Sequence, residues 1–411
     1  MMQHSARQAI LFRQLFPPPH NARVFSFFGG APVAPPSFVW PKGDNGGPLH
    51  FLMQIDCADI PAESRLGLLP ERGVLFFFLD LDGGESSGFR VLFEDEPSEN
   101  WDRMLVPPDL GPAYGDEARY VWGWTWEIDG ARCPRLLPRW PFQPVAISFS
   151  VECADDAVRD AAEPVWWPVD KAVQNDLLQA QGAIIAPKSF REIVLAEHGG
   201  LTRPFESYPH DWHAIEICAG FLLRRIRRDL GTTGARAFRA MTAEERAALR
   251  TRLEAETREW FARARAYAPF AGVQPEDRDA FWAWLVQHAT LSRFVLGQAV
   301  TISVEASLAG SADAAARIPA DAAARLYIHH ALAAQTEHGI FAPRPDRMLA
   351  PPSEIQGNQY EIARTHLLLL ELLSNEGLGH HFGEGVYQFW ITPDELRARR
   401  FDAVKLTADA Y

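Results

Sequence analysis

The strongest constraint on the fold is a pair of apolar segments that occurs twice. Near one end, HFLMQID (50–56) is followed, 23 positions after its histidine, by GVLFFF (73–78). Near the other, HLLLLEL (366–372) is followed, 19 positions after its histidine, by GVYQFW (385–390). Each pair is an apolar run, a turn-rich connector and a Gly-Val run with aromatics. Such runs are too short for a membrane helix, which needs about 18–20 apolar residues. They are the length of strands buried on both faces of a sheet. Two strand pairs of one pattern point to an internal duplication, with matched halves lying together in one body.

The remaining sheet signals cluster near the first pair. FRVLFED (89–95) follows GGESSG, and PVAISFSVEC (144–153) is another strand. YVWGWTWEIDG (120–130) puts Tyr120, Trp122, Trp124 and Trp126 on one face at period two, which reads as packing. Residues 17–48 are rich in Pro and Gly and read as ordered coil anchored by Phe25, Phe27, Phe28, Phe38 and Trp40, excluding helix and central strand. Helical patterns take over later. Ser189–His198 stops at a Gly pair, and Thr242 with Glu245 forms a capping box before a stripe of Leu249, Leu253, Trp260 and Ala264. A helix over 277–296 carries Trp284, His288, Leu291 and Val295, another follows Pro319, and Thr392 with Glu395 caps a short final one. The expected fold is therefore α+β: an internally duplicated, mixed but mostly antiparallel sheet body with a large, mainly helical insertion. Residues 1–204 form its N-terminal half, 205–340 the insertion and 341–411 the C-terminal half.

Composition excludes several classes. Of 411 residues, 47% are apolar and 23% charged, which is the ordinary globular mix. The first twenty residues lack a cleavage site of small residues, so the expected location is cytoplasmic. Cys57, Cys133, Cys153 and Cys218 are dispersed and read as reduced, buried thiols. The net charge of −13 argues against nucleic acid as the general partner. Residues 221–265 run the other way, with twelve arginines against six acids.

The segments FFGGAPVAPPSFVWP, PLHFLMQID and LPERGVLFFFLD, with IQGN, LLLLEL, GEGVYQFWIT and DELRARRFDAVKL at the far end, resemble the YwqG-like family of bacterial domains of unknown function (domain of unknown function 1963). The resemblance covers about residues 24–95 and 350–406. It implies duplicated halves around mostly antiparallel sheet, and it carries no catalytic residues. The helical insertion and the Leu370-Glu371 pair, where the first half has Gln54-Ile55, depart from that pattern.

No motif completes a catalytic site. Gly84-Glu85-Ser86-Ser87-Gly88 fits G-x-S-x-G, but a nucleophile elbow needs a helix directly after it and FRVLFED is a strand, so it reads as a hairpin turn. His210, His213 and Glu216 have a spacing that suits a metal only weakly, and the His329-His330 and His380-His381 pairs and His288 read as packing or surface residues. GLGHHFGEG (377–385) misses the dinucleotide spacing and also precedes a strand. No metal and no cofactor is expected. Three functional readings follow. The leading one is a non-enzymatic protein-binding module, with another protein as partner. The second is a small-ligand binder or enzyme with a polar cleft at the repeat junction, lined by Trp40, Gln54, Asp56, Gln356 and Glu384. The third is binding to nucleic acid or an anionic surface through Arg224, Arg225, Arg227 and Arg228.

Overall fold

Apolar runs that cannot hide their backbone in a helix hide it in a shared sheet. In the computed structural model the described residues are 6–15, 18–20, 23–81, 88–95, 100–115, 134–150, 200–231, 241–291, 293–323, 346–350, 352, 359–382 and 385–409. They contain twelve strands: β1 (Ala6–Gln14), β2 (Phe27–Phe28), β3 (Val33–Ala34), β4 (His50–Asp56), β5 (Val74–Leu79), β6 (Phe89–Glu94), β7 (Asp102–Arg103), β8 (Trp140–Ser150), β9 (Arg347–Met348), β10 (Leu367–Leu373), β11 (Val386–Ile391) and β12 (Lys405–Asp409). Ten of them form one sheet in the order β12-β11-β10-β9-β1-β8-β2-β4-β5-β6, while β3 and β7 form a separate antiparallel pair. The pairings among these strands are antiparallel. The fold class is thus α+β, and the strand pairs at 50–79 and 367–391 lie in one sheet.

The order runs outward in the same way on either side of the β1–β8 pair. The register also matches. The β4–β5 pairing has a bulge between Phe51 and Met53, and β10–β11 has one between Leu368 and Leu370. Counting from these bulges, Gln54 opposite Phe76 occupies the position of Glu371 opposite Gln388, so the sequence alignment of Gln54-Ile55 with Leu370-Glu371 is corrected by one residue. At the centre, Arg13 pairs with Gln143 in register and donates to its side chain.

The sheet curls so that its ends approach. Phe77 of β5 meets Phe389 of β11 at 5.3 Å between ring centroids, and Phe93 of β6 meets Phe401 at 5.5 Å. The enclosed face joins Ile10, Phe28, Met53, Leu75, Met348, Leu370 and Phe389 in one apolar core. Helices α1 (Trp212–Gly231), α2 (Ala243–Arg265), α3 (Pro275–Gln287) and α4 (Arg293–Gly310) contribute Ile215, Leu222, Leu253, Phe281, Val300 and Val304 to that same core. On the opposite face, Phe27, Phe51, Phe76 and Phe78 form a second cluster with Phe38, Trp40 and Trp101 from the covering loops.

Two expectations need correction. The Pro/Gly-rich stretch does hold a central strand, since β2 hydrogen-bonds both β4 and β8; two residues suffice because Gly29 and Gly30 turn the chain immediately afterwards. The helix expected over 277–296 ends at Gln287, where the His288 N–H bonds back to the carbonyls of Leu285 and Val286, and α4 starts afresh at Arg293. The N-terminal residues form a strand near the middle of the sheet. The expectations for 120–130, the 189–198 helix, His329-His330, Cys133 and Cys153 fall outside the described residues.

Gly29 has φ +57°, and a Cβ there would stand 2.1 Å from the Pro138 carbonyl oxygen. Gly29→Ala is expected to lower unfolding stability by about 2–3 kcal/mol, from left-handed strain plus backbone overlap. Gly111→Ala, with open space around the added atom and no left-handed φ, should stay within about 0.5 kcal/mol of wild type. Denaturant midpoints of the two variants check this.

Candidate functional site

The second cluster meets polar groups around Gln54. This residue is fully buried in β4, beside Phe27 of β2 and Phe76 of β5. Its Oε1 accepts the Val33 backbone N–H at 2.8 Å, while its Nε2 has no acceptor among the described residues. Val33 in turn pairs in register with Arg103 of β7. Arg139, one residue before β8, lays its guanidinium over the Phe27 ring at 4.3 Å from the centroid. The Nε of Arg139 is buried and also lacks an acceptor among the described residues. Burial, and then repulsion from Arg103, pull its pKa down to about 10. Among the described residues, neither arginine has an ion pair or a hydrogen bond from its side chain. Arg139 thus lies over the ring of Gln54's strand partner Phe27, with the exposed Arg103 near enough to repel it and no described anion paired with either arginine.

The matching positions in the other half of the sheet are closed. Glu371 stands where Gln54 stands, and its Oε1 accepts from Arg347 Nε at 2.8 Å and Nη2 at 2.7 Å. Its Oε2 accepts from Gln388 Nε2 at 2.8 Å. Gln388 Oε1 accepts from Thr407, whose hydroxyl oxygen takes the Trp390 indole N–H. One half has a complete polar network; its counterpart has donors left over. Most buried polar groups find partners, so a cluster of orphaned ones requires an explanation.

The structure brings some expected residues together and separates others. Trp40 belongs to the same aromatic cluster, but its indole N–H is taken by the Leu49 carbonyl at 2.8 Å and its ring packs on Phe78. Asp56, at the end of β4, is engaged elsewhere. Its Oδ1 caps the following turn at the Ala58 N–H, and burial raises its pKa. Gln356 and Glu384 lie outside the described residues. In α1, Arg227 faces Glu254 at 3.6 Å, Arg224 and Arg225 also have partners, and the Arg228 side chain is outside the described set. Glu216 is held below the ordinary carboxylate range, against the effect of burial, by His213 and Arg265. Buried His210 stands 3.4 Å from Asp211, whose carboxylate instead caps α1 at the Ala214 N–H and accepts from Ser307. Among the described residues no group of three His, Cys, Asp or Glu side chains is placed to hold a metal. Buried Cys57 and Cys218 are pushed up to about 12 by burial, which makes both inert as nucleophiles. The hairpin reading of GESSG is supported by the antiparallel β5–β6 pairing on either side of it. No helix of the described residues is long and apolar enough to cross a membrane.

Arg139 and Arg103 are the residues the sequence does not announce. Both sit in loop-rich stretches, and the lack of a counter-charge is a property of three-dimensional neighbours only.

The architecture defines an α+β protein built on a curled antiparallel sheet with helices packed into its core. Residues 26–198 match the family described as domain of unknown function (DUF1963), the same family that the apolar segments resemble. That match includes β2 to β8 and the Gln54–Arg139 cluster, and leaves out β1 and the strands from β9 onward. No curated protein matches the chain.

Proposed function

We propose that the protein is a small-ligand-binding protein whose site is the outer face of the sheet around Gln54, Phe27, Arg139 and Arg103. The observation that carries this reading is the partly buried Arg139 guanidinium, which has no counter-charge among the described residues and lies over Phe27, the strand partner of Gln54, whose buried amide has no acceptor among the described residues. A charge taken partly out of water and left unpaired lowers stability, and a bound anion removes that penalty. The closed network at the matching positions speaks for the same view, as does the idea that the two halves are copies of one unit, one of which kept its donors free. This reading takes the place of the protein-binding module favoured by the sequence. It also takes the place of the arginine-helix reading, because Arg227 already faces Glu254. No catalytic step is assigned to the site.

A thermal-shift screen of small anions and metabolites tests it. A ligand at a hundred times its dissociation constant adds about 2.7 kcal/mol to the folded state. The expected result is at least one ligand that raises the melting temperature of the wild type and leaves Arg139→Met unmoved. A screen with no such ligand removes the reading.

A further inference from the structure

We infer that the group recognised at this site is a dianionic phosphate, carried on a small molecule. The inference rests on the small-ligand reading and adds the chemistry of the ligand. Three features set it. The first is charge. Arg139, partly buried, and Arg103, exposed on β7, together carry two positive charges, neither paired with a described acid, and the repulsion from Arg103 helps to depress the pKa of Arg139. A carboxylate neutralises one of them and leaves a net positive charge beside the partly buried Arg139, whereas a phosphate monoester neutralises both.

The second is donor geometry. With Arg139 Cζ 4.3 Å from the centre of the Phe27 ring and its Nε buried without a described acceptor, the guanidinium has donors to give, and paired N–H groups are what phosphate oxygens accept. The ring also holds that plane in place, so less side-chain freedom is lost on binding. The third is Gln54. Its carbonyl is committed to Val33, so the amide can only donate, and it suits an additional oxygen acceptor rather than a cation or an apolar group. Closing the β3–β7 pair over Gln54 through Val33 also fixes where Arg103 stands. A tetrahedral oxyanion presents enough acceptors for two guanidinium groups and one amide at once.

Equilibrium dialysis with radiolabelled orthophosphate at low ionic strength, with sulfate and acetate as competitors, tests this on the full chain. The expected result is saturable phosphate binding above pH 7, strong competition by sulfate, which is likewise a tetrahedral dianion, and little by acetate. Arg139→Met and Arg103→Met should each weaken phosphate binding by about tenfold to a hundredfold, the range for a lost charge-assisted hydrogen bond. Gln54→Met should weaken it less. If acetate or a dicarboxylate competes as well as phosphate through the same arginines, the phosphate assignment falls and the small-ligand reading stands. If phosphate binds equally well to Arg139→Met, the site is not here. If the wild type binds no anion at all, both the assignment and the reading beneath it fall. Should Arg139→Met not fold, Arg139→Lys keeps the charge but loses the fork, and weakened binding with an unchanged circular dichroism spectrum is expected in its place.

Discussion

Replacing Glu371 with leucine should lower unfolding stability by about 3–5 kcal/mol, among the largest single effects available in this protein. Glu371 is fully buried in β10 and receives three side-chain hydrogen bonds, two from Arg347 and one from Gln388. Leucine adds no volume problem on a strand that is otherwise leucine, so the loss is electrostatic. It strips the carboxylate from a guanidinium that is itself only 5% exposed. It also takes the acceptor from the Gln388 amide in the neighbouring strand. Exchanging the pair together, Arg347→Met with Glu371→Leu, should recover much of the loss, because a well-packed apolar pair often matches a buried ion pair in stability. Urea titrations of the two single variants and the double variant measure the coupling. Single variants within about 1 kcal/mol of wild type would mean that the pair carries no such weight.

Acid should unfold the protein through His380 and His381. Burial holds His380 down to about 3, with His381 beside it as a smaller cause, and burial holds His381 to about 4. Both are neutral in the folded protein, yet in the unfolded chain they take up protons near pH 6.5. The folded pKa is the lower one, so the stability they confer is whole above about pH 6.5 and drains away as pH falls towards 3–4. Each proton held only by the unfolded chain contributes a slope of about 1.4 kcal/mol per pH unit. Asp346 works in the opposite sense. Burial raises it to about 7, despite the Leu373 N–H on its Oδ1, so it favours the folded state below its unfolded pKa and loses that contribution as pH rises from about 4 to 7. Two histidines outweigh one aspartate. The melting temperature is therefore expected to fall steadily below about pH 6, to fall more steeply in Asp346→Asn and less steeply in His380→Leu. A profile that is flat between about pH 6 and 4 in all three proteins contradicts this.

Where local pattern decides, the fold could be read from the sequence. The runs at 50–56, 73–78, 367–373 and 386–391 are strands because no other element hides so short and nearly unbroken an apolar run between turns. The capping boxes at Thr242 and Thr392 are present as read, since they depend only on residues three apart. Elements defined by tertiary surroundings were hidden. α4 is buried nearly all round, hiding Thr301, Ser303, Glu305 and Ser307 as well as Val300, Ile302, Val304 and Leu308, so it has no exposed polar stripe by which to recognise a surface helix. β1 has its neighbours supplied by β8 and β9, which lie far along the chain. At the candidate site, Gln54 stood out as a polar residue in an apolar strand. Arg139 did not, because its significance lies in having no described anion nearby, and Trp40 and Asp56 turned out to be committed to the Leu49 carbonyl and the Ala58 N–H.

The central claim is that Arg139 is kept at some expense to stability so that a ligand can use it. The most direct test is the melting temperature of Arg139→Met against wild type in buffer free of phosphate, sulfate and carboxylates. Methionine keeps an apolar chain on the Phe27 ring and removes the unpaired charge together with its repulsion from Arg103. The loss of a cation–ring contact, about 0.5–1 kcal/mol, is smaller than the relief of desolvation. The variant is therefore expected to melt a degree or two higher than wild type, as substitutions at binding sites commonly do. A variant that melts several degrees lower would show Arg139 to be a structural residue and leave the proposed site without its anchor.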